Sequence, residues 1–421
     1  MAERYDVLIV GAGPAGLAAA RAAAAAGARV GLLDAQAHAG GQVWRRDVDY
    51  RATGLARRRL AFVQAHPGVD WLASSTVMAA AGGKLLVEDP HAARWLDYGA
   101  LVLATGAHEL LLPFPGWTLP GVTGAGGLQA LAKQGWPLAG RRVVVAGSGP
   151  LLLAAAASIR RHGGHVVGIH EQAGYDDLRD FVRGLWRWPG KVLQAAALRA
   201  RLAGVPYHGS SVVVAAHGDD RLREIEVEGP RGRRRLFCDQ LAVGYGLVPE
   251  VRLASLLGCR LDAAGAHHQV WVDDAQRTSL ANVYAAGETC GIGGRDCAVA
   301  EGAIAGHAAA GRPPSAALRR RRHHTRAFAA HLARHFALDE RVRRLPQPDT
   351  LVCRCEDVSM KALDGHSDAR AAKLATRSGM GSCQGRICGS ALAALGRFPS
   401  GGHRPPLFPA RLDTLGDTDF T

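Results

Sequence analysis

Short apolar runs along the chain alternate with glycine-rich turns and alanine-rich stretches. The run at residues 5–10 leads directly into a glycine-rich turn, then an alanine-rich stretch from Leu17 to about Ala26, then a second apolar run that ends at Asp34. A short apolar run bounded by turn residues is typical of a buried parallel strand, and alanine favours helix. The pattern therefore predicts a strand–helix–strand unit with parallel strands.

The same pattern returns further along the chain. An apolar run at positions 141–146 precedes a second glycine turn, an alanine-rich helix and a run that ends at Glu171. Other apolar runs that end in small residues lie at 101–106 and 282–288. Alternating strands and helices with an internal repeat indicate an α/β fold with two Rossmann-like dinucleotide-binding domains. We expect a small helical domain after them, near the C terminus.

The first glycine turn has the spacing of a dinucleotide-binding motif. Gly11 permits a tight turn, Gly13 lets the backbone approach a pyrophosphate, and Gly16 lets the helix pack closely on the strand. The helix N terminus offers unpaired N–H groups to phosphate. Asp34 ends the second strand, where a carboxylate can accept hydrogen bonds from ribose hydroxyls. The sequence predicts a dinucleotide site here, and the alternative is a structural turn beside a core helix.

Elements further along the chain favour FAD over NAD at this first site. A loop at residues 40–42 can lie over a phosphate, and the turn at 104–106 and the strand end at 287–288 add two more small-residue segments. Together they resemble the two-dinucleotide-domain flavoproteins of glutathione and thioredoxin reductase type over about residues 5–310, although that family usually has aspartate at position 288. The resemblance implies FAD contacts from Gly11, Gly13, Pro14, Ala15, Gly16, Asp34, Ala35, Gly41, Gln42, Ala104, Thr105, Gly106, Gly287 and Glu288.

The second glycine turn departs from the first at one position. Gly147 and Gly149 keep the spacing, but Leu152 stands where the third glycine belongs and is expected to hold helix and strand apart. Glu171 would disfavour a 2′-phosphate, so NAD is favoured over NADP. Three alternatives stay open for this motif: NAD, another adenine nucleotide, or a structural relic without a ligand.

Four of the eight cysteines are close together near the C terminus. Cys353 and Cys355 form C-x-C, and further along the chain Cys383 and Cys388 form C-x4-C. Four thiolates suit a [2Fe–2S] cluster, with zinc as the main alternative and a metal-free segment as the third. The segment resembles the [2Fe–2S] domain of bacterioferritin-associated ferredoxins, in the version fused to flavoproteins, and this implies a [2Fe–2S] cluster on the four cysteines. The remaining cysteines lack redox-pair spacing, and we expect Cys290 and Cys297 to be buried thiols.

Charge and hydropathy argue against a nucleic-acid-binding, secreted or membrane-spanning protein. The net charge is +14, with arginine runs at 231–235 and 319–322. The arginines are mostly dispersed, so solvated surfaces are the first explanation, an acidic protein partner the second, and nucleic acid is not expected. An apolar strand begins soon after Met1, and the longest uncharged stretch, at positions 143–159, contains a glycine turn. We therefore expect no signal peptide, no transmembrane segment and a cytoplasmic location.

These patterns predict five parts, one of them formed by two separate segments of the chain. A discontinuous FAD domain covers 1–115 and 247–312, and an NAD-binding-like domain at 116–246 is inserted into it. A basic helical linker follows at 313–349, then the [2Fe–2S] domain at 350–398 and a tail at 399–421.

The whole arrangement resembles one subunit of heteromeric amino-acid-oxidising flavoenzymes, the group that includes opine oxidase, hydrogen cyanide synthase and the D-hydroxyproline and L-proline dehydrogenases. The resemblance implies an FAD-dependent oxidoreductase that relays electrons between FAD and a [2Fe–2S] cluster. Its implied partners are a small ferredoxin-like subunit and an amine-oxidising flavoprotein subunit. No catalytic residue is predicted. The alternatives are a self-sufficient NAD(P)H-dependent reductase and a non-enzymatic scaffold that retains FAD.

Overall fold

The computed structural model describes residues 3–399 and 402–416. The strands, in chain order, are β1 Glu3–Val10, β2 Val30–Leu33, β3 Val69–Leu72, β4 Thr76–Ala81, β5 Lys84–Glu88, β6 Ala93–Leu103, β7 Ala107–Glu109, β8 Val122–Gly124, β9 Arg142–Gly147, β10 His165–Glu171, β11 Tyr207–His208, β12 Val212–His217, β13 Glu224–Gly229, β14 Gly232–Phe237, β15 Gln240–Gly244, β16 Leu247–Pro249, β17 Leu261–Ala264, β18 His267–Val270, β19 Val283–Ala285, β20 Leu351–Cys353 and β21 Val358–Ser359.

The α-helices are α1 Pro14–Ala25, α2 Gly54–Ala65, α3 Ala125–Lys133, α4 Leu151–Arg161, α5 Tyr175–Gly184, α6 Pro189–Arg201, α7 Arg252–Leu257, α8 Arg295–Ala309, α9 Ala316–His335, α10 Glu340–Arg343, α11 Ala369–Thr376, α12 Cys388–Ala394 and α13 Leu412–Gly416. Short 3₁₀ helices cover Leu185–Arg187, Gly287–Cys290 and Lys361–Leu363. Within the described residues, none of the helices has the length and apolar character needed to cross a membrane.

The chain divides into two compact units. The described part of unit 1 covers 3–108, 248–329 and 402–416, and that of unit 2 covers 109–247 and 330–399. The long helix α9 belongs to unit 1 up to Ala329 and to unit 2 from residue 330. The cysteine-containing segment therefore groups with the inserted domain, not with the N-terminal one.

Unit 1 is built on a parallel sheet with both faces buried. Its strands lie in the order β3-β2-β1-β6, and β19 pairs with the C-terminal part of β6, all in parallel. The hairpin β4-β5 adds antiparallel to the N-terminal part of β6. Along β1, Val7 and Ile9 belong to one hydrophobic cluster, and Tyr5 and Leu8 belong to another. A strand buried on both faces reads as a continuous apolar run, and this explains the pattern at residues 5–10.

Helices α1 and α8 cross closely in unit 1 because α8 carries glycine at the contact. A Cβ at Gly302 would collide with the carbonyl oxygen of Ala15, and a Cβ at Gly306 would collide with that of Ala19. The i, i+4 spacing places both glycines on one face of α8. The alanine- and glycine-rich sequences of the two helices thus permit an approach that larger side chains would prevent.

Residues 402–416 form part of unit 1, where the sequence predicted a tail. The Leu407 N–H donates to the carbonyl of Met78 at 2.9 Å, and Leu407 is buried in the core beside β1 and β6. The guanidinium of Arg252 lies over the ring of Phe408, 4.4 Å from its centroid. The predicted tail segment also includes residues 400, 401 and 417–421, which lie outside the described residues.

Unit 2 contains a second parallel sheet, in the order β11-β10-β9-β15-β8, and an antiparallel meander, β12-β13-β14. Strand β14 contains three of the four arginines of the first run, and two of their side chains pair with strand β13. Arg233 donates to Glu228 at 2.9 Å, and Arg235 donates to Glu224 at 2.7 Å. These two arginines are therefore solvated and paired with glutamates of the neighbouring strand β13.

The cysteine-containing segment has its own small core in unit 2. Val352, Leu363, Leu392 and Phe398 are buried together with two of the cysteines. The segment contains helices α11 and α12 and also a short hairpin, β20-β21, which the prediction of a helical domain did not include. The indole N–H of Trp117 donates to the carbonyl of Leu351 at 2.6 Å and connects this core to the inserted domain.

Candidate functional site

In the first glycine turn, Gly11 and Gly16 are tightly packed, whereas the space beside Gly13 is open. Gly11 has φ +103°, and a Cβ there would collide with the carbonyl oxygen of Ala104 after β6. A Cβ at Gly16 would collide with the carbonyl oxygen of Gly11. At Gly13, by contrast, the nearest atom to a Cβ would be the Cα of Gly41, at 4.0 Å. The backbone at Gly13 is thus accessible in the way that contact with a pyrophosphate requires.

Asp34 connects the end of β2 to the glycine turn. Its carboxylate accepts hydrogen bonds from the N–H groups of Ala12 at 2.7 Å and Gln36 at 2.8 Å. Burial raises the pKa of Asp34, while the two backbone hydrogen bonds favour the ionised form. Helix α1 begins at Pro14, so the acid and the helix N terminus lie at the same turn. Ala35, the next predicted contact, is exposed.

The loop after β2 returns to the glycine turn, as the sequence suggested. Gly41 has φ +57°, and a Cβ there would lie 2.8 Å from the Cα of Gly13. Gln42 is exposed, and its amide oxygen accepts a hydrogen bond from Arg45 at 2.7 Å. Gly41 therefore borders the open space at Gly13, and Gln42 lies at the surface beside it.

The turn after β6 and the 3₁₀ helix after β19 are joined through one carbonyl group. The hydroxyls of Thr105 and Thr289 both donate to the carbonyl oxygen of Glu250, at 2.7 and 2.9 Å. The Glu250 side chain in turn pairs with Arg252 at 2.7 Å. Burial alone would raise the pKa of Glu250, but the hydrogen bonds and charge of Arg252 outweigh it and lower the pKa. Gly106, with φ +75°, completes the turn.

Glu301 is a buried acid that the sequence analysis did not single out. Its side chain is 0% exposed, accepts from the N–H of Gly287 at 3.0 Å and pairs with Arg326 of α9 at 2.6 Å. The neighbouring Glu288 accepts a backbone hydrogen bond from Gly294, and burial raises its pKa. The sequence signal that could have identified Glu301 is that it is an acidic residue within an alanine- and glycine-rich stretch of α8.

The segments predicted to contact FAD come together at the N terminus of α1. A Cβ at Gly287 would lie 2.8 Å from the Cβ of Ala15, and Gly11 contacts Ala104 as described. The convergence places an open backbone at Gly13 and two partly buried acids, Asp34 and Glu288, around one region. Phosphate, ribose and a polyhydroxyl chain need this donor and acceptor set, so the residues fit FAD.

The second glycine turn has a different environment. Glu171 is 0% exposed and accepts from the N–H groups of Gly149 at 2.7 Å and Ala173 at 3.0 Å. Burial raises the pKa of Glu171 to about 7. A Cβ at Gly149 would lie 3.7 Å from the ring of Phe336, whereas the equivalent space at Gly13 is open. The predicted residues at this turn, which include Gly147, are thus brought together, but the space beside them contains a side chain.

The four C-terminal cysteines lie in one region. Cys353 and Cys388 are buried, Cys383 is partly exposed and Cys355 is exposed. Burial raises the pKa of the Cys388 thiol to about 12, with further contributions from neighbouring Cys353 and Cys383. A Cβ at Gly381 would collide with the Cβ of Cys355, so the two chain segments approach closely there. Within the described residues, no three of these sulfur atoms lie within 4.8 Å of one another.

An ion pair also connects the two cysteine-bearing segments. Arg377, which precedes Cys383, donates to Glu356, which follows Cys355, at 2.7 Å. Cys353 ends strand β20, and Cys388 begins helix α12, so both pairs are attached to regular structure. Four thiols attached to two segments that touch are the donor types of an iron–sulfur or zinc site, although the structure does not gather three of the sulfurs at the mutual distances of a tetrahedral zinc site.

The cysteines of the first unit behave as predicted. Cys290 and Cys297 are buried and not disulfide-bonded. Burial raises the pKa of Cys297 to about 12 and that of Cys290 well above its usual value. A protonated, buried thiol is a poor nucleophile. This is consistent with structural thiols and does not suggest a dithiol redox centre.

Known proteins similar to this chain agree with the fold and with FAD as its cofactor. Residues 5–306 match the sequence pattern of the pyridine nucleotide-disulphide oxidoreductase family. Hydrogen cyanide synthase subunit HcnB of Pseudomonas aeruginosa is 33% identical over 90% of this chain and 90% of its own length. An opine oxidase subunit of Rhizobium meliloti is 33% identical over 98% of each chain.

Solved structures extend the similarity of the fold to the C-terminal segment. L-proline dehydrogenase from P. horikoshii matches with a TM-score of 0.70 at 19% identity and covers 99% of this chain and 80% of that one. Thioredoxin reductase of T. acidophilum matches with a TM-score of 0.56 at 21% identity over 73% of this chain and 98% of that one. The match with L-proline dehydrogenase covers nearly the whole chain and therefore includes the cysteine region.

Proposed function

The chain belongs to the pyridine nucleotide-disulphide oxidoreductase family and is an FAD-dependent oxidoreductase, and on that premise we propose that it is the electron-transferring subunit of a heteromeric amino-acid, imino-acid or opine dehydrogenase. In this proposal the chain relays electrons between FAD and a [2Fe–2S] cluster. A separate flavoprotein subunit oxidises the amine, and a small ferredoxin-like subunit completes a cytoplasmic assembly. D-hydroxyproline, proline, opines and glycine are the candidate substrates of that assembly.

The FAD-facing residues of unit 1 have defined roles in this proposal. FAD supplies two-electron chemistry, and a [2Fe–2S] cluster carries single electrons. The open backbone at Gly13 and the N terminus of α1 bind the pyrophosphate, and Asp34 accepts from the ribose. Glu288 stands where the family usually has aspartate and accepts from the ribityl hydroxyls. Glu301 and Arg326 fix the position of Gly287 beside it.

The cluster-facing residues belong to the two cysteine segments of unit 2. Cys353, Cys355, Cys383 and Cys388 hold the [2Fe–2S] cluster as thiolates. Gly379 and Gly385, both with positive φ, let backbone N–H groups turn toward the sulfurs, and such hydrogen bonds stabilise an anionic cluster. The Arg377–Glu356 pair holds the two segments together.

The observation that carries the proposal is the combination of two redox-type sites in one chain. The glycine turn with Asp34 fits a flavin site in unit 1, and the four-cysteine segment of unit 2 offers the ligand types of a metal site. Relatives similar over nine-tenths of their length are named as subunits of hydrogen cyanide synthase and opine oxidase. A chain with electron-carrying sites and relatives of that kind is best explained as a redox subunit.

Anaerobic stopped-flow mixing with NADH tests this function against a self-sufficient reductase. The FAD-loaded chain is mixed with NADH or NADPH, and the flavin absorbance near 450 nm is followed. We expect no rapid bleaching, because electrons reach this chain from the amine-oxidising subunit. Rapid bleaching by either nucleotide would contradict the proposal. A dithionite titration of the same sample is the control that the flavin is reducible.

A further inference from the structure

We propose that the second dinucleotide motif of this chain is a binding site for the chain itself: the segment Phe336–Arg341 occupies it and excludes NAD and other adenine nucleotides. The inference concerns the inserted domain alone and does not depend on the cysteine site. All of the residues involved lie in unit 2.

Phe336, the residue that follows helix α9, lies where a pyrophosphate would bind to the second motif. In the first motif, the space beside Gly13 is open. In the second motif, three ring and Cβ atoms of Phe336 lie 3.7–3.9 Å from the place of a Cβ on Gly149. The hydroxyl of Ser148, between the two glycines, donates to the carbonyl oxygen of Phe336 at 3.1 Å. The glycine turn thus binds a peptide carbonyl and an aromatic ring where a phosphate would lie.

The residues after Phe336 also occupy the place where the adenosine ribose of a nucleotide would lie. Gln172 follows the acid that ends β10, is 1% exposed, and binds the segment at two points. Its amide nitrogen donates to the carbonyl oxygen of Ala337 at 2.9 Å, and its amide oxygen accepts from the N–H of Asp339 at 3.1 Å. Both halves of a buried amide are therefore satisfied by the peptide, an arrangement typical of a specific site.

Glu171 is not available to a ribose. Its carboxylate is fully buried and accepts from Gly149 and Ala173, and the Tyr207 hydroxyl lies 3.4 Å from it. In the first motif, Asp34 likewise accepts two backbone N–H groups, those of Ala12 and Gln36, but stays partly exposed. A nucleotide at the second motif would have to displace Phe336 and also draw Glu171 outward.

Contacts on both sides of the segment hold it in place. The Phe336 ring packs edge-to-face on Phe181 of α5, with centroids 4.9 Å apart, and His331 stacks on the same Phe181 ring at 5.0 Å. Asp339 caps α10 by accepting from the N–H of Arg341 at 2.8 Å. The Arg341 guanidinium lies within 3.4 Å of the carbonyl oxygens of Ser210 and Gln172. A segment anchored at both ends competes with a free ligand at high effective concentration.

Nucleotide binding by the full FAD-loaded chain tests the proposal, and Gly149→Val shows whether any bound nucleotide occupies the second motif. Nucleotides released on denaturation are separated by chromatography, and equilibrium dialysis measures binding of NADH, NAD and ATP to the native chain. We expect FAD as the only released nucleotide and no binding of the other three above background. Stoichiometric NAD or ATP that is lost in Gly149→Val would overturn the proposal.

Amide hydrogen exchange tests the segment directly. In Phe336→Ala, the amides of residues 336–342 should exchange roughly tenfold faster than in the wild type, because an aromatic contact that holds them is lost. Gln172→Leu removes both amide hydrogen bonds, should have the same effect, and serves if Phe336→Ala does not fold. Phe237→Ala, at a position 65% exposed on β14, is the matched control and should leave this exchange unchanged. Unaltered exchange in both site variants would contradict the proposal.

Discussion

The Nε atom of Arg326 lies 2.6 Å from a carboxylate oxygen of Glu301, and that carboxylate is completely buried. The other oxygen of Glu301 accepts the N–H of Gly287 at 3.0 Å. The basic linker helix thus supplies the countercharge of an acid in the core of unit 1. This relationship explains why part of a strongly basic segment belongs to the flavin unit.

Breaking this pair should destabilise unit 1. Among the described residues, Arg326→Met leaves the buried carboxylate with Arg322, at 3.6 Å, as its one cationic partner, and removal of one member of a buried pair costs about 3 kcal/mol or more. Urea unfolding followed by circular dichroism and by flavin release should shift to lower urea. Arg334→Met, at an exposed position of the same helix, is the control. Adding Glu301→Gln to Arg326→Met should recover part of the loss, and equal stability of all variants would refute this role.

Flavin retention should depend on Gly13 and not on Gly149. Gly13 has φ −75°, and no atom lies closer than 4.0 Å to the place that a Cβ would take, so Gly13→Val should fold and yet fill the pyrophosphate space. The purified variant should lose nearly all FAD, as measured by the ratio of absorbance at 450 and 280 nm. Gly149→Ala, in the second motif, should keep the wild-type ratio. A yellow Gly13→Val protein with full occupancy would contradict the FAD assignment.

The stability of unit 2 should depend on pH through Glu171. Burial raises its pKa from 4.5 to about 7, so the folded state binds more protons than the unfolded state between those values. Stability must therefore fall as pH rises from about 5 to 7, by an amount on the order of 3 kcal/mol for a shift of this size. Urea midpoints at pH 5 to 8 should decline more steeply for the wild type than for Glu171→Gln. Parallel pH profiles would show that Glu171 does not titrate in this range.

The cysteine site should hold iron in the form of a [2Fe–2S] cluster. Cys383→Ser should remove the cluster absorbance and the electron paramagnetic resonance signal of the reduced protein, while FAD stays bound, because the two sites use different residues. Cys238→Ser replaces a buried cysteine of the same unit outside the set and should change neither signal. Metal analysis of anaerobically purified wild type that finds zinc and no iron would reject the cluster.

Local patterns sufficed to predict the strand, turn and helix of the first glycine motif and the acid that follows them. The strand, turn, helix and acid around Gly11–Asp34 follow one another directly in the chain, so periodicity and spacing determine their geometry. The burial of Cys290 and Cys297 was likewise expected from their missing redox spacing. The α/β fold with two dinucleotide-binding domains was predicted and is confirmed by the parallel sheets of both units.

Contacts between residues distant in sequence were not predictable in this way. Phe336 fills the space at Gly149 from a segment far along the chain, and the spacing of the glycines contains no information about it. Leu152 signalled an altered second motif, but it did not identify what occupies the site. Arg326 and Glu301 lie on different helices, and a basic run alone suggests a solvated surface. The contact of Leu407 with Met78 depends in the same way on tertiary packing.

The most direct test of the central claim is a dye-linked dehydrogenase assay of the purified chain with and without its amine-oxidising partner. The isolated, FAD-loaded chain should give no dye reduction with opines, D-hydroxyproline, proline or glycine. Addition of the partner subunit should produce turnover, and Cys355→Ser should weaken that turnover through loss of electron transfer. Robust amino-acid dehydrogenase activity from the isolated chain would contradict its assignment as an electron-transferring subunit.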